Sequence, residues 1–494
     1  MSHIYRVYLS VIILLYTFSC RYTTATQKSS DMDARFSDYS KYYLNQLWQL
    51  NPEWAASVGL HQYDSIMTIP SINTMQHKLK AYSTMLDSLK TLNSNELNTN
   101  NKTDYYLIEN QLLSSLFNIN EYKSYEWNPA EYNVSEGFAL ILNGRYAPLH
   151  TRMEALYARL QHVPSYYTQA RALIKNPSIK HTELAIIQHA NPQELFGKAM
   201  LDSAAAAGFD DTKYKEFENR LSNAVDAITR YSTYLKTDVL SITNVNSKNF
   251  RLGKDLYERK FMLEINAGIT ASELYHKALK EKKVIQNKMK ELAPELWKKY
   301  YGEIKMPDDT IFLIKKLIDT ISQKHCKKEE FVKVIENQMP VLVNFINNKG
   351  DIITLDPTQA LVVRETPSYM DGVSGASISS PGPFEKNANT YYNVSPLTAW
   401  DDQTAESYLR EYNEYMLKIL NVHEAIPGHY TQLVYANKSP SIIKSVLGNG
   451  SMIEGWACYT ERMMLQEGWG DNEAELWMMY YKWNLRIVCN TILD

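Results

Sequence analysis

Thr270–Ala293 reads T-A-S-E-L-Y-H-K-A-L-K-E-K-K-V-I-Q-N-K-M-K-E-L-A, and its period decides the fold class. Leu274, Ala278, Ile285, Met289 and Leu292 recur at helical spacing, leaving one apolar stripe on an otherwise charged segment. Thr270 with Glu273 three residues on forms a capping box that opens the helix. Working outward, Leu149–Ile174 and Phe217–Leu235 carry similar stripes, with breaks at Asn176-Pro177 and Asn191-Pro192. The pattern is helical almost throughout residues 35–348, and no period of about 20–50 residues repeats. The chain is therefore expected to be mostly α, with residues 35–348 as a multi-helix scaffold.

Between Asp351 and Trp400 the character changes. Ile352–Leu355, Leu361–Val363 and Thr390–Val394 are short β-like runs, and Gly372–Pro383 is rich in Gly, Ser and Pro. A small sheet or hairpin with a flexible loop is expected here, before helical signals resume at Thr404.

At 494 residues the chain has room for two or three domains. The net charge of −3, without a long Lys/Arg block, excludes the basic surface of a nucleic-acid binder. Val7–Phe18 is apolar apart from Ser10 and Thr17, and Ser19-Cys20 follows at once. A run this short is the core of a signal peptide over residues 1–20, not a membrane span. Two outcomes stay open: lipid attachment at Cys20, with 21–34 as a linker, or simple cleavage near Ala25. Export to the periplasm or cell envelope follows from either, and the mature chain meets a membrane only through the lipid. The remaining cysteines, Cys326, Cys458 and Cys489, are odd in number and widely spaced, which is no disulfide framework. A single Cys458–Cys489 pair stays open.

The chemistry gathers late in the chain. Asn421–Ala436 reads N-V-H-E-A-I-P-G-H-Y-T-Q-L-V-Y-A. Two histidines, with a glutamate beside the first, suggest a metallopeptidase helix in which the histidines bind Zn2+ and the glutamate activates water. The spacing differs from H-E-x-x-H: His423 and His429 are six apart, about 240° around a regular helix. Pro427-Gly428 supplies the remedy, because Pro removes a backbone donor and Gly tolerates unusual angles. A bulge of two residues there would return His429 to the face of His423. The third ligand is expected from Ser451–Glu461, where Glu454, Cys458 and Glu461 stand at i, i+4 and i+7 on one face. Glu454 also fits a capping box with Ser451, and Cys458 fits a small apolar filler better than a ligand. His181 and His189 lack a carboxylate at ligand spacing, and His325-Cys326 sits among lysines; all are read as structural.

The chain resembles the large bacterial domain-of-unknown-function family 885, exported or lipid-anchored proteins placed in the gluzincin group of zinc metallopeptidases. The resemblance rests on His423-Glu424-Ala425-Ile426-Pro427-Gly428-His429 and on Glu454-Gly455-Trp456-Ala457-Cys458-Tyr459-Thr460-Glu461. Weaker echoes are Asn51-Pro52, Gly59–Asp64 and Tyr391–Asn393. It implies a mostly α metallopeptidase-like fold, with His423, His429 and Glu454 as zinc ligands and Glu424 as general base. Glu461 would hold a ligand histidine in its tautomer. Members of the family run on past the point where this chain stops. Residues 349–494 are thus expected to be a zinc-binding catalytic region lacking its C-terminal part. The expected activity is hydrolysis of peptide bonds in short peptides, with Thr390–Val394 offering an edge strand to the substrate. Two other functions remain open: a zinc hydrolase of another amide or ester, and a non-catalytic metal-binding envelope lipoprotein. Oligomeric state is not legible.

Overall fold

The computed structural model describes residues 31–494 apart from 242–246, 357, 359, 368–369, 371–374 and 386–387. The expected signal peptide, Cys20 and most of the linker lie outside the described residues.

The protein is mostly helical, with one small sheet. An N-terminal layer contains α1 (31–50), α2 (Ile72–Lys90) and α3 (Thr99–Phe117) around a core that includes Phe36, Tyr43, Leu89 and Ile108. A middle core gathers Phe138, Leu156, Phe217 and Tyr231, with α4 (Asp211–Tyr234) through it. The third core runs from Ile285 to Tyr480. It contains α5 (Ala271–Tyr301), α6 (Phe331–Lys349) and the four late helices α7 (Glu414–Glu424), α8 (His429–Asn437), α9 (Gly450–Gln466) and α10 (Ala474–Leu493). Among the described residues no helix is long and apolar enough to cross a membrane.

Helix α5 opens as its sequence dictates. The Thr270 hydroxyl accepts from Glu273 N at 3.2 Å, and Thr270 N donates to the Glu273 carboxylate at 2.8 Å. The helix runs past Ala293 and through Pro294, because Ala293, Leu296 and Trp297 continue the buried stripe. Burial of that stripe outweighs the one backbone bond that Pro removes. α5 packs along α10, where Tyr300 donates to the buried Glu475 carboxylate at 2.8 Å.

The sheet has strands β1 (Leu361–Glu365), β2 (Ala376–Ser379) and β3 (Thr390–Val394) in the order β1-β3-β2. β3 pairs parallel with β1 and antiparallel with β2. The sequence expectation for Thr390–Val394 is corrected: it is the central strand, and among the described residues the edges belong to β1 and β2. Its Tyr392, Asn393 and Val394 are fully buried, which an edge strand would not require. β2 falls inside the stretch expected to be loop, and Ile352–Leu355 forms no strand. Ile352, Ile353 and Leu355 pack on the third core without a strand partner among the described residues. Leu149–Ile174 divides into two helices, Leu149–Leu160 and Val163–Leu173.

The N-terminal layer is stapled to the β2–β3 connection. Gly59 has φ +96°, and a side chain there would strike the backbone of Phe384 and Glu385. His61 pairs through Nε2 with Glu385 at 2.7 Å and through Nδ1 with Asp64 at 3.1 Å. Burial pulls its pKa down, but the hydrogen bonds to Asp64 and Glu385 outweigh this and push it up to about 9. A raised folded-state pKa gives stabilisation that is complete below the unfolded value near 6.5 and lost as pH rises through 9. The thermal midpoint is therefore expected to fall between those pH values, and His61→Gln to flatten that fall. An unchanged slope in the variant would remove His61 from the account.

Candidate metal centre

Helix α7 carries His423 and Glu424 in its last turn and ends there. Ala425, Ile426, Pro427 and Gly428 loop out before α8 starts at His429. The expected bulge within a continuous helix is thus a complete break between two helices. Ala425 N and Ile426 N both donate to Asn421 O, at 3.0 and 3.2 Å, and Gly428 N donates to Val422 O at 3.0 Å. That last bond folds the chain back over α7 so closely that any side chain at 428 would overlap the carbonyl oxygens of Val422 and His423. Trp456 of α9 donates its indole N–H to Pro427 O at 2.9 Å and holds the loop from the other side.

The break brings the two histidines together, with ring centroids 4.8 Å apart and planes at 88°. Glu454 faces both. Its Oε2 lies 3.7 Å from His423 Nε2 and 3.6 Å from His429 Nε2. Glu454 is no capping residue: Asn449 caps α9 by accepting from Met452 N at 2.8 Å, and Ser451 donates to Ile265 O. The two separations are too long for direct hydrogen bonds. They approach the spacing of about 3.3 Å between donors on a tetrahedral zinc with bonds near 2.05 Å. The donor set therefore fits a zinc ion, with the carboxylate side chain 68% exposed toward solvent and the histidines mostly covered.

Behind the histidines lies Glu461, 0% exposed. His423 Nδ1–H donates to its Oε1 at 2.7 Å, which leaves Nε2 facing Glu454. His429 Nδ1 is buried with no such partner among the described residues. Beneath α7, Tyr392 donates to Asn421 Oδ1 at 2.9 Å and Asn421 donates to Gln338 at 2.9 Å, tying β3 and α6 to the metal helix.

The electrostatics follow from this crowding. Burial lowers the His423 pKa, but the neighbouring Cys458, Glu454 and Glu461 side chains push it up to about 12. The histidines hold Glu454 far below the usual carboxylate range. Burial raises Glu424, against the pull of both histidines. Burial also raises Glu461, against its bond from His423. A bound cation would take the place of the proton on His423. Glu424 makes no hydrogen bond to another described residue, so its carboxyl is free to handle a proton.

Sequence spacing missed Trp483 of α10. Its indole N–H donates to the same Glu461 Oε1 at 3.2 Å. The periodicity that places Trp483 in a helix says nothing of which side chain crosses to α9. Trp483→Phe keeps the bulk and removes the donor. It is expected to weaken zinc affinity about tenfold, the lower end for groups supporting a ligand histidine. Trp477→Phe, on the same helix but not bonded to Glu461, should leave affinity unchanged in a chelator competition. Equal losses in both variants would reduce Trp483 to a packing role.

His181, His189 and His325 stay apart from this cluster. His189 is buried with Nδ1 on Ala185 O at 2.7 Å and Nε2 near Tyr132 O and the Tyr167 hydroxyl, a core histidine. His181 contacts Ser178, and His325 contacts Glu406. Cys326, Cys458 and Cys489 are all free thiols, so the Cys458–Cys489 pair does not form.

Comparison with known proteins then places the chain. Residues 52–494 match the family described as "Bacterial protein of unknown function (DUF885)". The chain belongs to this family. A solved structure of a candidate lipoprotein of unknown function from Shewanella oneidensis is 45% identical, with TM-score 0.77, over 93% of this chain and 82% of that one. A second, from Colwellia psychrerythraea and also a candidate lipoprotein, is 12% identical with TM-score 0.69. That match covers 94% of this chain and 83% of the other, and it speaks to the fold alone. A search of curated proteins finds no match.

Proposed function

We propose that this DUF885 member is a zinc-dependent metallopeptidase of the gluzincin type, exported to the cell envelope and acting on short peptides. The observation that carries the reading is Glu454 Oε2 standing 3.7 and 3.6 Å from His423 Nε2 and His429 Nε2, too far for direct bonding and close to the donor spacing of zinc. When bound there, zinc supplies a Lewis acid that polarises a carbonyl and acidifies a water. Glu424, next to His423 and without a hydrogen-bond partner among the described residues, would take the proton from the attacking water and deliver it to the leaving amine. Glu461 keeps His423 in the tautomer whose Nε2 faces the cation.

β2 gives an extended substrate a pairing edge. It contacts α7, and the Pro381 carbonyl just beyond it accepts from Asn437 at the end of α8 at 2.8 Å. The envelope location draws support from the 45% identical lipoprotein neighbour and from the Val7–Cys20 pattern, with Cys20 as the attachment residue. The test is incubation of the purified protein with a mixture of short peptides, read by mass spectrometry. Cleavage that a chelator stops and added zinc restores is the expected result. Absence of any zinc-dependent cleavage, in a sample shown to bind zinc, would favour a non-catalytic role.

A further inference from the structure

We propose that Cys458, Glu461 and His423 form a second cation seat, selective for thiophilic ions, directly behind the His423–His429–Glu454 triangle. It deepens the zinc reading by sharing His423 with that site, but its test stands apart from it. The donor atoms of these three residues all lie within 4.8 Å of one another. Cys458 sits one helical turn from both Glu454 and Glu461 on α9, is only partly buried and forms no disulfide. Glu461 adds a second, independent sign. Its Oε1 takes both N–H donors, from His423 and Trp483, while Oε2 is buried with no partner among the described residues. A buried carboxylate oxygen without a donor is costly. A cation between it and the sulfur would satisfy it.

The two seats differ in chemistry. The first offers two nitrogens and an oxygen; the second offers sulfur, nitrogen and oxygen, the set that soft ions such as Cd2+ select. They also exclude each other. A neutral imidazole has a lone pair on only one nitrogen. His423 Nε2 faces the first seat and Nδ1 faces Glu461. For an ion to enter the second seat, the Cys458 thiol releases its proton to solvent as the S–metal bond forms. An ion there takes the single lone pair of His423, which the first seat then lacks. Soft ions in this seat would therefore expel the ion in the first.

Titration of the protein with Cd2+ tests this. A thiolate-to-cadmium charge-transfer band in the ultraviolet is expected, together with release of any zinc bound at the first seat. Cys458→Ser should lose the band, whereas Cys326→Ser, Cys489→Ser and His429→Ala should keep it. In the unaltered protein, where folding is not in question, Cd2+ should stop alkylation of Cys458 by iodoacetamide in a peptide map. No band, a band that persists in Cys458→Ser, or unslowed alkylation would overturn the proposal. Loss of the band in His429→Ala would also overturn it, since Cys458 would then be a substitute ligand of the first seat. A band without any zinc binding would instead defeat the zinc reading and leave the second seat standing.

Discussion

Glu424→Gln is expected to lower peptide turnover by about 10²–10⁴-fold, the usual contribution of a positioned general base. The zinc content should not change. The side chain follows a candidate ligand directly at the end of α7, and neither hydrogen bonds nor ion pairs with described residues consume its carboxyl. Gln has the same shape and cannot accept the proton. Folding should be unharmed, because a mostly buried carboxyl whose charge burial disfavours is replaced by a neutral amide. Turnover and zinc stoichiometry measured on one preparation separate the alternatives. Undiminished turnover would remove Glu424 from the chemistry. Loss of zinc would mean that it is a ligand or a structural support, not a base.

The second large effect is expected at Gly428. Its N–H closes the loop onto Val422 O, and a side chain there would overlap two backbone carbonyl oxygens of α7, which cannot swing aside as a flexible side chain would. Gly428→Ala must therefore separate α7 from α8, and with them His423 from His429. A destabilisation of about 1–3 kcal/mol is expected from the overpacking, with zinc affinity falling more than tenfold as one ligand moves away. Denaturant unfolding and chelator competition measure the two losses. Wild-type values for both would show that the break between the helices does not set the spacing of the histidines.

Local rules made much of this structure legible. The stripe and capping box of Thr270–Ala293 describe α5 well, because helix period and cap chemistry act within a few residues. Pro427-Gly428 is likewise a local signal, and it identified the point where the chain departs from a regular helix. Its outcome, a full break closed by the Gly428–Val422 bond, depends on Trp456 reaching across from α9, and no local rule reports that. The same limit explains the sheet. Thr390–Val394 has strand composition, but whether it lies at an edge depends on β1 and β2, one pairing parallel and one antiparallel. Ile352–Leu355 has similar composition and forms no strand. Glu461 could be proposed from its position on the face of Glu454. Trp483, which donates to it from α10, is a contact between helices that only the packed core creates.

The most direct test of the central claim is elemental analysis of the purified protein beside its His429→Ala variant. About one zinc per chain in the first, and none retained after dialysis in the second, is the predicted result. A wild-type protein that stays metal-free when zinc is supplied, or a variant that holds zinc equally well, would contradict the assignment of His423, His429 and Glu454 as a metal centre.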